Sequence, residues 1–204
     1  MFNPAYRIVT PRTIIRCYNP TDAFLLANSI SESLDHLLPW MPFAAAEPEP
    51  FISKIERLRR MRSNFDINID YAYGIFNQES TKLIGSTGLH PRVGPGAIEI
   101  GYWIHKDFIN QGFATEATSA LTKVAFEINQ VERIEIHCSV ENLRSATIPR
   151  KLGYSHEANL RKRSFANGVS SDQMVWSLFA EDYPASPSKN ILLAAYDAAE
   201  RRLI

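Results

Sequence analysis

The chain has 204 residues, 45% of them hydrophobic and 22% charged, and its 22 basic and 22 acidic residues cancel. That length suits one domain with a modest appendage and a core of real size. The cancelled charge excludes a broad electrostatic platform for nucleic acid or anionic lipid, so neither is an expected partner. No stretch has the roughly eighteen apolar residues of a membrane span, and the N-terminus lacks the basic start and apolar run of an export signal. A cytoplasmic protein is expected. Cys17 and Cys138 stand far apart, without a CxxC pair or clustered histidines. They read as packed, reduced thiols, with no metal site.

The elements follow in chain order. Arg12 to Tyr18 is a short Ile-rich run between Pro11 and Pro20, which predicts a first strand. Thr21 can cap a helix whose Phe24, Leu25, Ile30, Leu34, Leu37 and Leu38 recur at helical spacing up to Pro39. After a Pro-rich break, Phe51, Ile55, Leu58, Met61 and Phe65 mark a second amphipathic helix. Strand-like runs at Ile67 to Asn77, Lys82 to His90 and Ala97 to His105 are joined by turn-forming segments and predict an antiparallel meander.

A long helix from Gly112 to Asn129 comes next, then the strand ERIEIHCSV, a short helix from Asn142, and strand pieces at Gly153 to His156 and Gln173 to Phe179. The segment beyond Tyr183 opens with PASPS and ends in ILLAAYDAAERRLI, whose spacing predicts an amphipathic helix on the body or on a partner. The expected organisation is a domain over residues 1–182 and a C-terminal extension over 183–204. Meander first and strand, helix, strand second imply an α+β fold whose mixed sheet is mostly antiparallel with one parallel pair.

One turn concentrates the chemistry. The strand IEIGYWIH feeds the helix through INQGFAT, where Gly112 lets a ligand approach without a Cβ in the way and Asn110 tolerates a left-handed backbone. The amides of Asn110, Gln111, Gly112, Phe113, Ala114 and Thr115 can therefore wrap a pyrophosphate at the helix start. Glu116 is the competing feature, because a carboxylate in the first turn satisfies the helix dipole without any ligand.

The run GYWIHKDFINQGFATEATSALTKVAFE, followed by RIEIHCSVENLRSATIPRKLGY, resembles the acetyl-CoA-binding core of the GCN5-related N-acetyltransferases (GNAT), in particular the RimJ/RimL-like branch. That superfamily's phosphate loop reads Gln or Arg, two residues, Gly, one residue, Gly or Ala. Residues 109 to 114 match it, with Ile109 at the first position and Asn110 where a glycine is usual. SLDHLLPWMPFA and GLHPRVGPGAIEIGYW are similar to segments of the same branch.

The resemblance implies a twisted sheet flanked by helices whose fourth and fifth strands splay apart. The acetyl-CoA thioester would lie in that gap near an amide of Trp103, Ile104 or His105. It also implies an amine acceptor, either a small molecule or a protein N-terminus, and direct transfer in a ternary complex. Many members protonate the leaving thiolate with a tyrosine at the position of Pro149, and the RimL-like branch presents a serine where this chain has Ser145. Ser145 is therefore the expected donor and Asn142 the expected contact for the pantetheine arm. An N-cap and a small residue in a first helical turn would equally explain that pair.

The base stays open among Glu99, which strand alternation places on one face with Gly101, Trp103 and His105, and His90 and His105 themselves. A RimL-type glutamate would fall near Ser164. Trp40, Met41 and Phe43, where the family forms its acceptor pocket, are a pocket wall or a packed corner. Arg161, Lys162 and Arg163 face an acidic acceptor or solvent. Cys138 has no paired base, which argues against a covalent intermediate. A non-catalytic acyl-CoA-binding sensor is the alternative reading, and the sheet edges and tail offer surfaces for a homodimer.

Overall fold

The computed structural model describes residues 4–204. Its nine strands form a single sheet, flanked by helices on both faces. The chain starts with a hairpin of β1 (Arg7–Val9) and β2 (Ile14–Cys17), the first of which the sequence pattern did not announce. The predicted first helix splits at Ser33 into α1 (Ala23–Glu32) and α2 (Leu34–Leu37). Thr21 is not its cap. A 3-10 turn over Pro20–Asp22 precedes α1, and the Asp22 carboxylate accepts from the Asn19 amide and from Arg16 at 2.8 Å. The break at Ser33 has a purpose in the packing: its hydroxyl accepts the Lys106 amide at 3.0 Å and so ties α2 to the end of the fifth strand.

Helix α3 (Phe51–Asp66) runs as predicted. The strand expected from Ile67 begins only with β3 (Tyr71–Phe76), because Asn68 takes a left-handed φ of 61° as the chain leaves the helix. β4 (Leu83–His90) and β5 (Ala97–Ile104) complete the antiparallel meander. Helix α4 (Phe113–Glu127) buries Ala117, Ala120, Leu121, Val124 and Ala125 completely. Four small or β-branched residues among those five let the helix lie close on the sheet. Burying Leu121 alone contributes about 1.5–3 kcal/mol.

β6 (Arg133–Ser139) lies parallel to β5, and α5 (Leu143–Lys151) follows it. The two expected late strand pieces are one long hairpin, β7 (Ser155–Ala166) and β8 (Val169–Phe179). Its turn is Asn167-Gly168, with φ of 48° and 74°, the pair that best fits a tight two-residue reversal. The tail corrects the expected amphipathic helix. Asp197 accepts amides from Ala199 and Arg201 at 2.8 and 2.9 Å, which bends the chain after β9 (Ala194–Tyr196). β9 pairs with β1 and extends the sheet, and Ala195 is fully buried there, so pairing with an open edge outcompetes the helical spacing.

The sheet order is β7-β8-β6-β5-β4-β3-β2-β1-β9. Ile98, Ile100 and Ile104 of β5 face the core formed with α4, while Trp103 faces a second core with α1, α2 and α3. The segment between α2 and α3, which carries Trp40, Met41 and Phe43, is pinned by the buried Lys54 ammonium. That group pairs with Glu47 and lies 3.2 Å from Glu49. Removing the cation leaves the buried Glu47 carboxylate without its charged partner, while Glu49 keeps Arg57, so Lys54→Met should lower unfolding stability by about 3–5 kcal/mol in denaturant titration. An unchanged midpoint would show that the segment is held by other contacts.

Candidate active site

A cleft of about 730 Å³ runs from the start of α4, along β5, to α5 and α2. That volume lies within the range of pockets that enclose small ligands. At one end the chain turns after a 3-10 turn at Lys106–Phe108, with Asn110 at φ 60° and Gly112 at φ 84°. Both residues adopt the left-handed conformation that their types tolerate. Gly112 is the N-cap of α4 and no side chain caps the helix; the Glu116 amide already donates to the Gly112 carbonyl at 3.0 Å. The amides of Phe113, Ala114 and Thr115 have no intrahelical acceptor and suit an anion. Asn110, Gly112, Phe113, Ala114 and Thr115 line the cleft.

Glu116 does not line it. Its carboxylate accepts from the Thr10 hydroxyl at 2.6 Å, the Arg12 amide at 3.2 Å and Arg12 Nε at 2.5 Å, all on the turn between β1 and β2. Arg12 Nη1 also donates to the Gln111 carbonyl at 2.9 Å. The Gln111 side chain turns back to the Asp107 carbonyl, and Gln111 lies outside the lining.

β5 and β6 pair only from Ala97 with Arg133 to Glu99 with Glu135, and beyond that point they are unpaired with each other. The splay implied for the fourth and fifth strands is thus between β5 and β6, the numbering having moved by one because of β1. His105 donates its amide to Ile84 on the β4 side at 2.8 Å. By alternation the amides of Ile104 and Tyr102 point the other way, into the gap.

On the far wall, Asn142 caps α5, its side chain accepting the Ser145 amide at 3.1 Å. Pro149 lies inside this helix and cannot donate to the Ser145 carbonyl. The Tyr102 hydroxyl fills that vacancy, at 3.2 Å from the carbonyl and 3.1 Å from Ser145 Oγ. Burial pushes the Tyr102 hydroxyl above its ordinary range, partly offset by Ser145. The Cys138 thiol nearby is buried and likewise pushed up, so a ready thiolate is not present there.

The other sequence-predicted residues divide. Trp40, Met41, Trp103 and Ile104 line the cleft. Phe43 lines a separate cavity of about 320 Å³ with Tyr18, Ser86 and Trp103. His105 is buried, with Nε2 3.0 Å from Glu32 and Nδ1 accepting the Asp107 amide, and is not in the lining. His90 Nδ1 is 2.6 Å from Asp70. Glu99 holds Arg92 through two bonds of 2.7 and 2.8 Å, at the point where the strands part. Burial acts to raise its carboxyl, but the Arg92 guanidinium outweighs this and leaves it below the ordinary range. Neither His90 nor Glu99 lines the cleft.

Among the cleft residues that the sequence reading did not single out are Tyr102 and His36. Tyr102 was hidden because its role answers a proline elsewhere in the chain, although Pro149 signalled that some donor must replace the lost N–H. His36, on α2, lines the cleft with Trp40 and Met41. Burial, with Arg144 and His105 adding positive charge, holds its imidazole below the ordinary 6.5.

Gly112 tests the cradle. A Cβ there would sit 3.4 Å from Arg12 Nη2 on a backbone with φ 84°, a conformation that costs a side chain about 1–2 kcal/mol. Gly112→Ala should weaken coenzyme A binding by about tenfold or more, as measured by calorimetry. Unaltered affinity would place the diphosphate elsewhere.

Comparison with known proteins agrees with this architecture. Residues 12–155 match the model of the Acetyltransferase (GNAT) domain. The Bacillus subtilis (strain 168) protein YdaF, named as a ribosomal N-acetyltransferase, is 30% identical over 178 residues, covering 86% of this chain and 95% of YdaF. The [Ribosomal protein uS5]-alanine N-acetyltransferase of Escherichia coli (strain K12) is 22% identical over 185 residues, 88% of this chain and 94% of that one. Among solved structures, RimL, the ribosomal L7/L12 α-N-protein acetyltransferase in complex with coenzyme A, superposes with a TM-score of 0.76 at 17% identity, covering 88% of this chain and 98% of RimL, a likeness of fold. Among the described residues no helix is long and apolar enough to cross a membrane. The splayed sheet, the cradle and the matched domain together make this chain a member of the GNAT acetyltransferase family, an acetyl-CoA-dependent N-acetyltransferase.

Proposed function

We propose that the chain acetylates the α-amine of a peptide or protein N-terminus, with His36 as base and Ser145, oriented by Tyr102, as acid. The observation that carries this reading is the continuity of the cleft: one cavity joins the Gly112 cradle, the Tyr102–Ser145 pair and the His36–Trp40–Met41 wall. The names of YdaF and the uS5-alanine enzyme support a protein acceptor. A non-catalytic sensor would have no use for an acid and a base at the two ends of such a gap.

When bound, acetyl-CoA supplies an acetyl group activated as a thioester. The protein supplies the rest. The cradle amides and the positive end of α4 fit the diphosphate, and a side chain at position 112 would obstruct it. The Ile104 and Tyr102 amides face the gap and can stabilise negative charge developing on a carbonyl oxygen there. His36, held below its ordinary pKa, is neutral at pH 7 and can accept a proton from an incoming ammonium. Ser145 Oγ stands 3.1 Å from Tyr102 Oη, so a proton given up by the serine can be replaced through that contact. Glu99, tied to Arg92, is better suited to closing the strand junction than to moving protons.

Two outcomes are expected. With peptides as acceptors, thiol release from acetyl-CoA should exceed that with polyamines or aminoglycosides. Ser145→Ala should lower kcat about 10- to 100-fold, with KM for acetyl-CoA within about threefold. Full turnover by that variant, or peptides inferior to small amines, would overturn the assignment.

The pH profile tests the base. A lowered histidine pKa means the active neutral form persists on acidification until pH falls through that value, so kcat should hold down to pH 6.5 and decline below it. In His36→Gln the low limb should vanish along with most of the rate. A limb that survives the substitution would assign the proton to another group.

A further inference from the structure

The start of α4 carries an electrostatic contradiction. Its free amides suit an anion, yet its first turn bears Glu116, and a carboxylate there repels a diphosphate over a few ångströms. Residues 109 to 115 contribute no cationic side chain of their own. A cation that touches the loop comes from the β1–β2 turn, about a hundred residues away in sequence. Arg12 Nε is 2.5 Å from Glu116 Oε2, Nη1 is 2.9 Å from the Gln111 carbonyl, and the guanidinium lies 4.4 Å from the centre of the Phe113 ring. The Arg12 side chain is 46% exposed, so the core does not require it.

We infer that Arg12 is a positioning residue for the cofactor, cancelling the Glu116 charge beside the diphosphate site and fixing the loop through Gln111 and Phe113. The inference rests on the acetyl-CoA reading above. Lysine could not do the same work, because a point charge on a flexible stem cannot bridge a carboxylate and a carbonyl while stacking on a ring. The competing explanation is a plain staple that attaches the N-terminal hairpin to the body. A staple would affect ligands with and without a diphosphate alike, whereas charge cancellation affects only the former.

Calorimetry with coenzyme A distinguishes them. Arg12→Ala should raise Kd about tenfold. Adding Glu116→Gln should bring it back to within about threefold of the parent, because the repelling charge is gone while the amide oxygen can still accept from Thr10. Acetyl transfer from S-acetylpantetheine, which has no diphosphate, should keep its KM in Arg12→Ala. Arg12→Gln should repeat the pattern, and a melting temperature near that of the parent shows that each variant is folded. A single variant within about twofold of the parent, a double variant as weak as the single, or a matching rise in KM for both donors would overturn the inference. Failure of the parent chain to bind coenzyme A would instead refute the underlying site.

Discussion

Everything in the site depends on where β5 and β6 stop pairing. Their last partners are Glu99 and Glu135, two carboxylates side by side in register, an arrangement that repels unless it is compensated. Arg92 clasps Glu99; Arg133 and His137 hold Glu135 at 2.8 and 2.7 Å. Past this charged hinge the strands part. β6 keeps its partner β8 up to Ser139 and β5 keeps β4, so each strand retains a ladder on one side and turns unpaired amides toward the other. The gap is therefore made without leaving either strand at a free edge.

Pro149 and Tyr102 show compensation across the gap. Proline inside a helix removes a hydrogen bond and here leaves a half-buried carbonyl wanting a donor. In this chain the donor comes from the opposite strand, which brings a phenol beside Ser145 Oγ. A helix defect and a polar pair in the cleft are the same structural fact.

The large elements were legible because their signals are local. The periodicity of α3 and α4, the meander, the left-handed Asn110 and the glycine before α4 could be read from adjacent residues, and the family resemblance fixed their relative order. What was not legible depends on partners remote in sequence. β1 and β9 are strands because they pair with β2 and with each other, not because three residues carry a pattern. Glu99 looked like a base because alternation gives its face but not its neighbour Arg92. His36 needed the break at Ser33 before α2 could turn toward the cleft. The Asn-Gly at 167–168 was a local signal for the long hairpin, and the composition of charged β7 obscured it.

The pairing of β9 with β1 also bears on how the chain comes into being. Arg7 stands opposite Tyr196, and Ile8 opposite Ala195, so the outer edge of β1 stays uncovered until residues 194–196 have been made and can pair with it. Throughout that interval the nascent sheet has an uncapped margin of the kind that recruits foreign strands. Arg7, stacked on Tyr196 in the finished fold, puts a charge on that margin, a feature that discourages pairing with foreign strands.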